Sequence, residues 1–330
     1  MAEEQIHRMI SGFIASQALY VAAKLTVFDL LRDGPKTAVE IAKATDSHEP
    51  SLRRVLRFLT AVAVLVEDKQ GRFSSTEMGS LLRSDHPNSA RPWAVLFGEP
   101  FIWQSWGNLY ETVKTGVPGF DRAHGEGFFD YLARHSQDAA TFNDAMTSSS
   151  RDELAAILSA YDFHVFTKVV DVGGGQGALL RGILEQCPDV RGVLCDLPSV
   201  VAGASELRHP RVASRCELIG GDFFKAVPAG GDAYVLKKIV HDWSDSDVLR
   251  ILKNCRRAIA PGAKVLIIEA VVQPSNQPDS VKWKDLNMLT LVTGRERTLA
   301  EFGELYGDAG LRLTRVVPAV SLSIIEGVAC

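Results

Sequence analysis

The chain has 330 residues, enough for two domains of ordinary size. Its 46% hydrophobic and 23% charged residues exclude global disorder, and its net charge of −4 gives no general pull toward nucleic acid or anionic membranes. No apolar run approaches the roughly 18 residues that span a bilayer.

The opening "MAEEQIHRMI" is acidic early and lacks the basic-then-apolar order of a signal peptide. The five cysteines, at 187, 195, 216, 255 and 330, form no C-x-x-C pair, and their number is odd. We therefore expect no disulfide framework, no zinc ribbon, no membrane association and a reducing, cytoplasmic setting. Residues 1–35 read as one or two helices. "FIASQALYVAAKLTVFDLL" is apolar nearly all round, as in a helix covered on more than one side, and Gly34-Pro35 stops it. The following "TAVEIAKATDSHEPSLRRVLRFLTAVAVLVEDKQGRFSSTEMG" parses as helix, turn, helix and two short strands around "EDKQGRF", the order of a winged helix-turn-helix. Residues 88–160 read as mostly helical, interrupted at "GVPGFDRAHGEG".

From residue 165 short apolar runs alternate with helical patterns. The expected strands are "KVVDV", "RGVLCDL", "CELIGGD", "AYVLKKI" and "KVLIIEAVV". This alternation predicts a doubly wound α/β domain with a parallel sheet covered on both faces. "LRLTRVVPAVSLSIIEGVA" holds two more strand-like runs with no room for a crossover helix, so they should pair antiparallel.

"VVDVGGGQGALL" places Gly173, Gly174, Gly175 and Gly177 between a strand and a helix, where glycines allow a tight turn and a close ligand. The spacing Gly173, Gly175, Ala178 also satisfies a dinucleotide fingerprint, and a purely structural turn is a third reading. Context favours a nucleoside. Asp196 ends the second strand at the distance where an acidic side chain grips a ribose diol. Asp222 ends the third, and Phe223 beside it can lie against a flat ring. Asp171 adds a carboxylate that suits a cationic tail and would repel a pyrophosphate.

At this point the C-terminal half resembles a class I S-adenosylmethionine-dependent methyltransferase. The whole chain resembles the small-molecule O-methyltransferases of plant caffeate and flavonoid type and their bacterial relatives in carotenoid, phenazine and polyketide tailoring. "DVGGGQG", "CDLPSV", "GGDFF", "HDWSD", "IIEAVV" and "GRERT" carry the resemblance by their order and spacing. It implies a Rossmann-like methyltransferase sheet with an antiparallel C-terminal strand, at residues 101–330. Within that span, about 101–160 would be a helical linker and about 161–330 the core. It also implies a mainly helical, winged-helix-like dimerisation domain at 1–100, hence a homodimer in which one subunit reaches over its partner's pocket. S-adenosyl-L-methionine would be the methyl donor and S-adenosyl-L-homocysteine the product. Cofactor contacts would fall on the Gly173 backbone, Asp196, Asp222, Phe223 and Lys237, with Ser150 after "FNDAM" near the methionine end.

Methyl transfer from a sulfonium is an in-line displacement of an already activated group, so positioning dominates. A phenol of pKa about 10 must lose its proton as it attacks, which calls for a base such as histidine. His241 is the candidate, at the end of the fourth strand. Glu269, on the neighbouring strand, would hold its second nitrogen, and Glu296 in "GRERT" matches the second flanking acid of the family. Asp242 would point away as a helix cap, and Trp243 would pack. The other seven histidines read as surface or packing residues. No second histidine lies near His241 to support a metal site. "FGEPFIWQSW", "FNDAMTSSS" and "WKDLNMLTLV" are equally pocket lining or plain core. A pocket of that composition suits a flat aromatic or polyene hydroxyl compound.

Two rival readings follow from the same residues. One is a nucleoside-sensing winged-helix regulator, but residues 36–83 carry eight basic against six acidic side chains, little for a phosphate-reading surface. The other is a methyltransferase-like tailoring enzyme that performs decarboxylation or hydroxylation. An intact His241, Glu269 and Glu296 set argues against a lost base.

Overall fold

A computed structural model of the chain describes residues 2–330 except Pro261 and Gln277, and leaves aside the side chains of residues 149–152. The chain divides into two compact units. One comprises residues 1–108 and 120–149, the other residues 109–119 and 150–330. Among the described residues no helix is long and apolar enough to cross a membrane.

In the first unit a short strand β1 (Lys36–Thr37) leads into the helix Ala38–Ala44, and the helix Glu49–Ala61 precedes β2 (Leu65–Glu67) and β3 (Arg72–Ser75). The three strands form an antiparallel sheet in the order β1-β3-β2, completing the winged-helix order read from the sequence. Thr37 caps the first of these helices reciprocally with Glu40, which satisfies two otherwise orphaned backbone amides. Leu52, Leu56 and Leu59 recur at helical spacing and bury one face of the second against Phe28, Ile41 and Phe73. Each fully buried leucine or phenylalanine contributes about 1.5–3 kcal/mol. The helices Ala2–Ile10 and Gly12–Lys24 leave Ile6, Met9, Ile10, Phe13 and Ile14 exposed. Exposed apolar side chains at such close spacing are common on association faces.

The second unit is built on β4 (Lys168–Val172), β5 (Arg191–Asp196), β6 (Cys216–Gly220), β7 (Ala233–Lys237), β8 (Lys264–Glu269), β9 (Leu311–Ala319) and β10 (Leu322–Ala329). Their order is β6-β5-β4-β7-β8-β10-β9. The first five are parallel, and β10 pairs antiparallel with both β8 and β9, because the β9–β10 link is too short for a crossover. Alternate residues of β4 point to opposite faces, Val169 into one hydrophobic cluster and Val170 and Val172 into the other. The helix Ala178–Gln186 covers the first face through Leu180 and Ile183, and the helices Asp245–Ala258 and Leu299–Asp308 cover the second through Ile251 and Phe302.

Candidate active site

Strand order reverses between β4 and β7, and in open α/β sheets ligands bind beyond the carboxyl ends of the strands at such a point. Three of the glycines after β4 have positive φ: 70° at Gly173, 60° at Gly175 and 84° at Gly177. Gly174 is needed for space, since a Cβ there would lie 2.4 Å from the Asp171 carboxyl carbon. A Cβ on Gly173 would lie 2.6 Å from Ile239 and 3.4 Å from the Phe223 ring. The turn therefore runs as bare backbone between these side chains.

Asp196 binds this turn directly. Its Oδ2 accepts the Gly175 amide at 2.8 Å and its Oδ1 the Leu197 amide at 2.7 Å, which leaves lone pairs on both oxygens. Burial raises its pKa against the lowering effect of those two hydrogen bonds. The Gly221 amide donates to the Asp196 carbonyl at 2.8 Å and so brings the end of β6 alongside. There Asp222 accepts the Phe224 amide at 2.9 Å, and the Phe223 ring packs edge-on to Trp243 at 6.0 Å. Gly173, Asp196, Asp222 and Phe223 are thus brought together on one sheet edge.

Asp171 lies under the turn, 1% exposed, and among the described residues neither of its carboxylate oxygens has a close hydrogen-bond partner. Burial pushes its pKa up to about 7, opposed by the Lys237 ammonium. Lys237 ends β7, and its own pKa is lowered by burial and by Lys238. Glu153, on the helix Ser136–Ala160, pairs with Lys237 at 3.5 Å and Lys238 at 2.7 Å. No local pattern in the sequence singles out Glu153. The Ser150 side chain lies outside the described residues.

His241 does not end the strand. β7 stops at Lys237, and His241 sits four residues on, in the 3₁₀ turn Val240–Asp242. Its Nδ1 is 3.0 Å from Glu296 Oε1 and 3.6 Å from Glu269 Oε2. The acid on Nδ1 is therefore chiefly Glu296 rather than Glu269. Glu269 instead accepts the His241 backbone amide at 3.2 Å. Asp242 does not point away either, and its Oδ1 lies 3.5 Å from His241 Nε2. A 3₁₀ turn advances about 120° per residue where a strand alternates by 180°, so the expected alternation fails here. The helix Asp245–Ala258 is capped by Ser244, whose hydroxyl accepts the Asp247 amide at 3.3 Å. Trp243 packs edge-on against Phe224 at 4.7 Å, as expected.

Burial pulls the His241 pKa down, but Glu269, Asp242 and Glu296 outweigh it and push it up to about 10. Burial raises Glu269 to about 7 and Asp242 to about 6, in both cases against the attraction of His241. The second oxygens of Glu269 and Glu296 are buried without a hydrogen bond among the described residues. One ring nitrogen is thus held by a carboxylate while several groups with near-neutral pKa stand ready to share a proton. The donor atoms of His241, Glu269 and Glu296 all lie within 4.8 Å of one another, and the 3.0 Å pair has the length of a hydrogen bond.

The segments considered as pocket lining divide. Phe101 and Ile102 are buried core of the first unit, whereas Trp283, Leu286 and Leu289 stand exposed on the helix Ser280–Leu291 of the second.

Fold and site together define a doubly wound α/β enzyme with a nucleoside-type cradle and a carboxylate-held histidine at its switch point. Residues 106–312 match the O-methyltransferase domain and residues 7–85 the O-methyltransferase dimerisation domain. The chain is 42% identical to a phenazine O-methyltransferase of Lysobacter antibioticus, over 97% of this chain and 94% of that one. It is 40% identical to the 8-amino-8-demethylriboflavin N,N-dimethyltransferase of Streptomyces davaonensis, over 91% and 88%. It also superposes on an O-methyltransferase from neocarzinostatin biosynthesis, solved with S-adenosylmethionine and 2-hydroxy-5-methyl naphthoic acid. That match has a TM-score of 0.87, 35% identity and 96% coverage of each chain. The chain belongs to the O-methyltransferase family, and it is an S-adenosylmethionine-dependent O-methyltransferase of the secondary-metabolite tailoring type.

Proposed function

We propose that the enzyme methylates a hydroxyl of a flat aromatic secondary metabolite, with His241 as general base. The observation that carries this reading is the 3.0 Å contact between His241 Nδ1 and Glu296 at the switch-point edge of the sheet. The donor supplies an activated methyl group on a sulfonium. Gly173, Asp196, Asp222 and Phe223 hold its nucleoside, and the unpartnered Asp171 carboxylate fits its cationic end. Lys237 adds a further cofactor contact, and Ser150, the other contact expected from the sequence, lies outside the described side chains. Glu296 keeps the proton on Nδ1, Glu269 fixes the His241 backbone, and Nε2 accepts the acceptor's proton. Nε2 must be free for this step, and the surrounding carboxylates hold the ring charged. Any cation brought to the site lowers that pKa, so the base form grows with ligand binding and with rising pH.

The phenazine and naphthoate relatives support an aromatic acceptor. The dimerisation-domain match and the exposed apolar face of residues 6–14 support a homodimer formed through residues 1–100, with residues 101–330 carrying the methyltransferase machinery. In this reading the winged helix serves association rather than nucleic acid, and the free cysteines accord with a cytoplasmic setting. The test is a screen of phenols, naphthols, polyene alcohols and aromatic amines with isotope-labelled donor, followed by mass spectrometry. Labelled methyl ether on a phenolic product supports the reading. Label appearing only on amines, or only on aliphatic alcohols, overturns the acceptor class.

A further inference from the structure

The turn that carries His241 has no side-chain cap of its own. Besides Glu269 on the His241 amide, what holds it is Arg297, which is fully buried. A guanidinium has five N–H donors, and all five are used here. Nε donates to Asp245 Oδ1 at 3.0 Å, and Nη2 donates to the same oxygen at 2.7 Å and to the Trp243 carbonyl at 2.9 Å. Nη1 donates to the Val240 carbonyl at 2.9 Å and to the Arg295 carbonyl at 3.2 Å. One planar group therefore grips the backbone on both sides of His241 and Asp242, and also the residue just before Glu296.

Gly294 makes this approach possible. A Cβ there would lie 2.0 Å from the His241 carbonyl oxygen, 2.4 Å from the Asp242 carbonyl carbon and 2.5 Å from the Trp243 nitrogen. The 294–297 loop lies flat on the histidine turn and is anchored elsewhere as well. The Glu296 amide donates to Asp285 at 2.9 Å, and the Arg297 carbonyl accepts the Val272 amide at 2.9 Å, just beyond β8.

We propose that Arg297, with Gly294 providing the clearance, is the positioning residue that sets the contact between His241 and Glu296. The Asp245 side chain is half exposed, and an ion pair open to water on one side is by itself weak ground for stability. The direction of its donors is informative, because they tie together the two backbone segments that supply the pair. Lysine cannot substitute, since its ammonium is a point donor without the planar fork. Displacing a reacting group by about 1 Å costs on the order of 10²-fold in rate.

The inference rests on His241 and Glu296 acting as the proposed base pair, so the test separates the two claims. R297K and G294A are made in the full chain and compared with wild type and H241Q. Calorimetry reads donor affinity, kinetics read kcat and acceptor KM, and ¹⁵N-histidine NMR follows the His241 ring through a pH titration. In R297K and G294A we expect kcat to fall about 10²-fold. Donor affinity and acceptor KM should stay within about threefold, and the His241 titration should move toward ordinary histidine values. R297A should regain part of its kcat on addition of methylguanidinium. Wild-type kcat and titration in R297K overturn the proposal, as does a kcat that falls only with the folded fraction while the titration stays put. If H241Q turns over normally, the base reading fails. A shifted His241 titration in R297K then still upholds positioning, and an unshifted one ends it. Should R297K not fold, G294A decides on the same readouts.

Discussion

Replacing His241 by glutamine separates what this residue does for folding from what it does for chemistry. The folded ring titrates at about 10 against an ordinary 6.5, because Glu269, Asp242 and Glu296 surround it. A pKa raised on folding contributes stability that is fully present below the unfolded value and lost as pH rises through the folded one. At about 1.4 kcal/mol per unit, the coupling has an upper bound of about 5 kcal/mol. Breaking a buried ion pair costs about 3–5 kcal/mol, the same range. In H241Q the carboxylates keep their burial without the imidazolium. Below about pH 5 they escape by protonation, since Glu269 and Asp242 already titrate near 7 and 6. Near pH 10 the wild type loses its own imidazolium. The stability deficit should therefore peak near neutrality and shrink toward both ends. Urea unfolding at pH 5.5, 7.5 and 9.5 measures it. Turnover, assayed at pH 8.5 on the folded, donor-bound fraction, where part of the wild-type ring is in its base form, should be down about 10²–10⁴-fold, the range of a lost general base. Undiminished turnover in folded H241Q refutes the base assignment. A deficit that does not change with pH refutes the electrostatic account of the cluster.

Asp196→Asn removes one charge from a carboxylate that already holds the Gly175 amide. It should weaken the donor about 10–100-fold through the loss of a charge-assisted hydrogen bond, and calorimetry showing equal affinity would remove Asp196 from the ribose. Asp171 has a folded pKa of about 7 against an ordinary 3.8, so burying its charge costs stability as pH rises through that window. Asp171→Asn should stabilise the donor-free protein by about 2–4 kcal/mol above pH 7 and by nothing below pH 4, while weakening donor binding. Lower thermal stability at pH 8 would contradict this account. Exhaustive dialysis against a chelator should leave kcat unchanged, because a proton shared by His241 and Glu296 needs no cation. A loss of activity restored by a divalent ion would reassign the cluster.

Much of the architecture was legible because it is written in short-range patterns. β4 to β8 fall on the five apolar runs read from the sequence, and "VVDVGGGQG" encodes its turn through φ angles that only glycine adopts freely. The antiparallel end followed from a link too short to cross over. The placement of Asp196, Asp222 and Phe223 was legible for the same reason: Asp196 ends β5, and although β6 stops at Gly220, two residues before the expected Asp222, the loop after it stays on the edge that strand ends of a parallel sheet share.

The arrangement of the histidine cluster was not legible. Strand periodicity sent Asp242 the wrong way, because the chain leaves β7 at Lys237 and enters a 3₁₀ turn with a different angular step. Glu153 reaches the site from another element with no residue beside it in the sequence to announce it, and although Arg297 follows Glu296 in "GRERT", nothing in that motif shows that its guanidinium turns back onto the histidine turn. By itself the sequence determined the elements, the glycine cradle and the identity of the histidine and its two acids. Only the tertiary structure decided which acid holds which atom. Glu269 and Glu296 lie 28 and 55 residues from His241, and the pairing of Lys237 with Ile268 brings the first alongside while the loop after Ser280–Leu291 brings the second. Contacts at that separation are fixed by sheet register and loop docking, which local sequence does not encode.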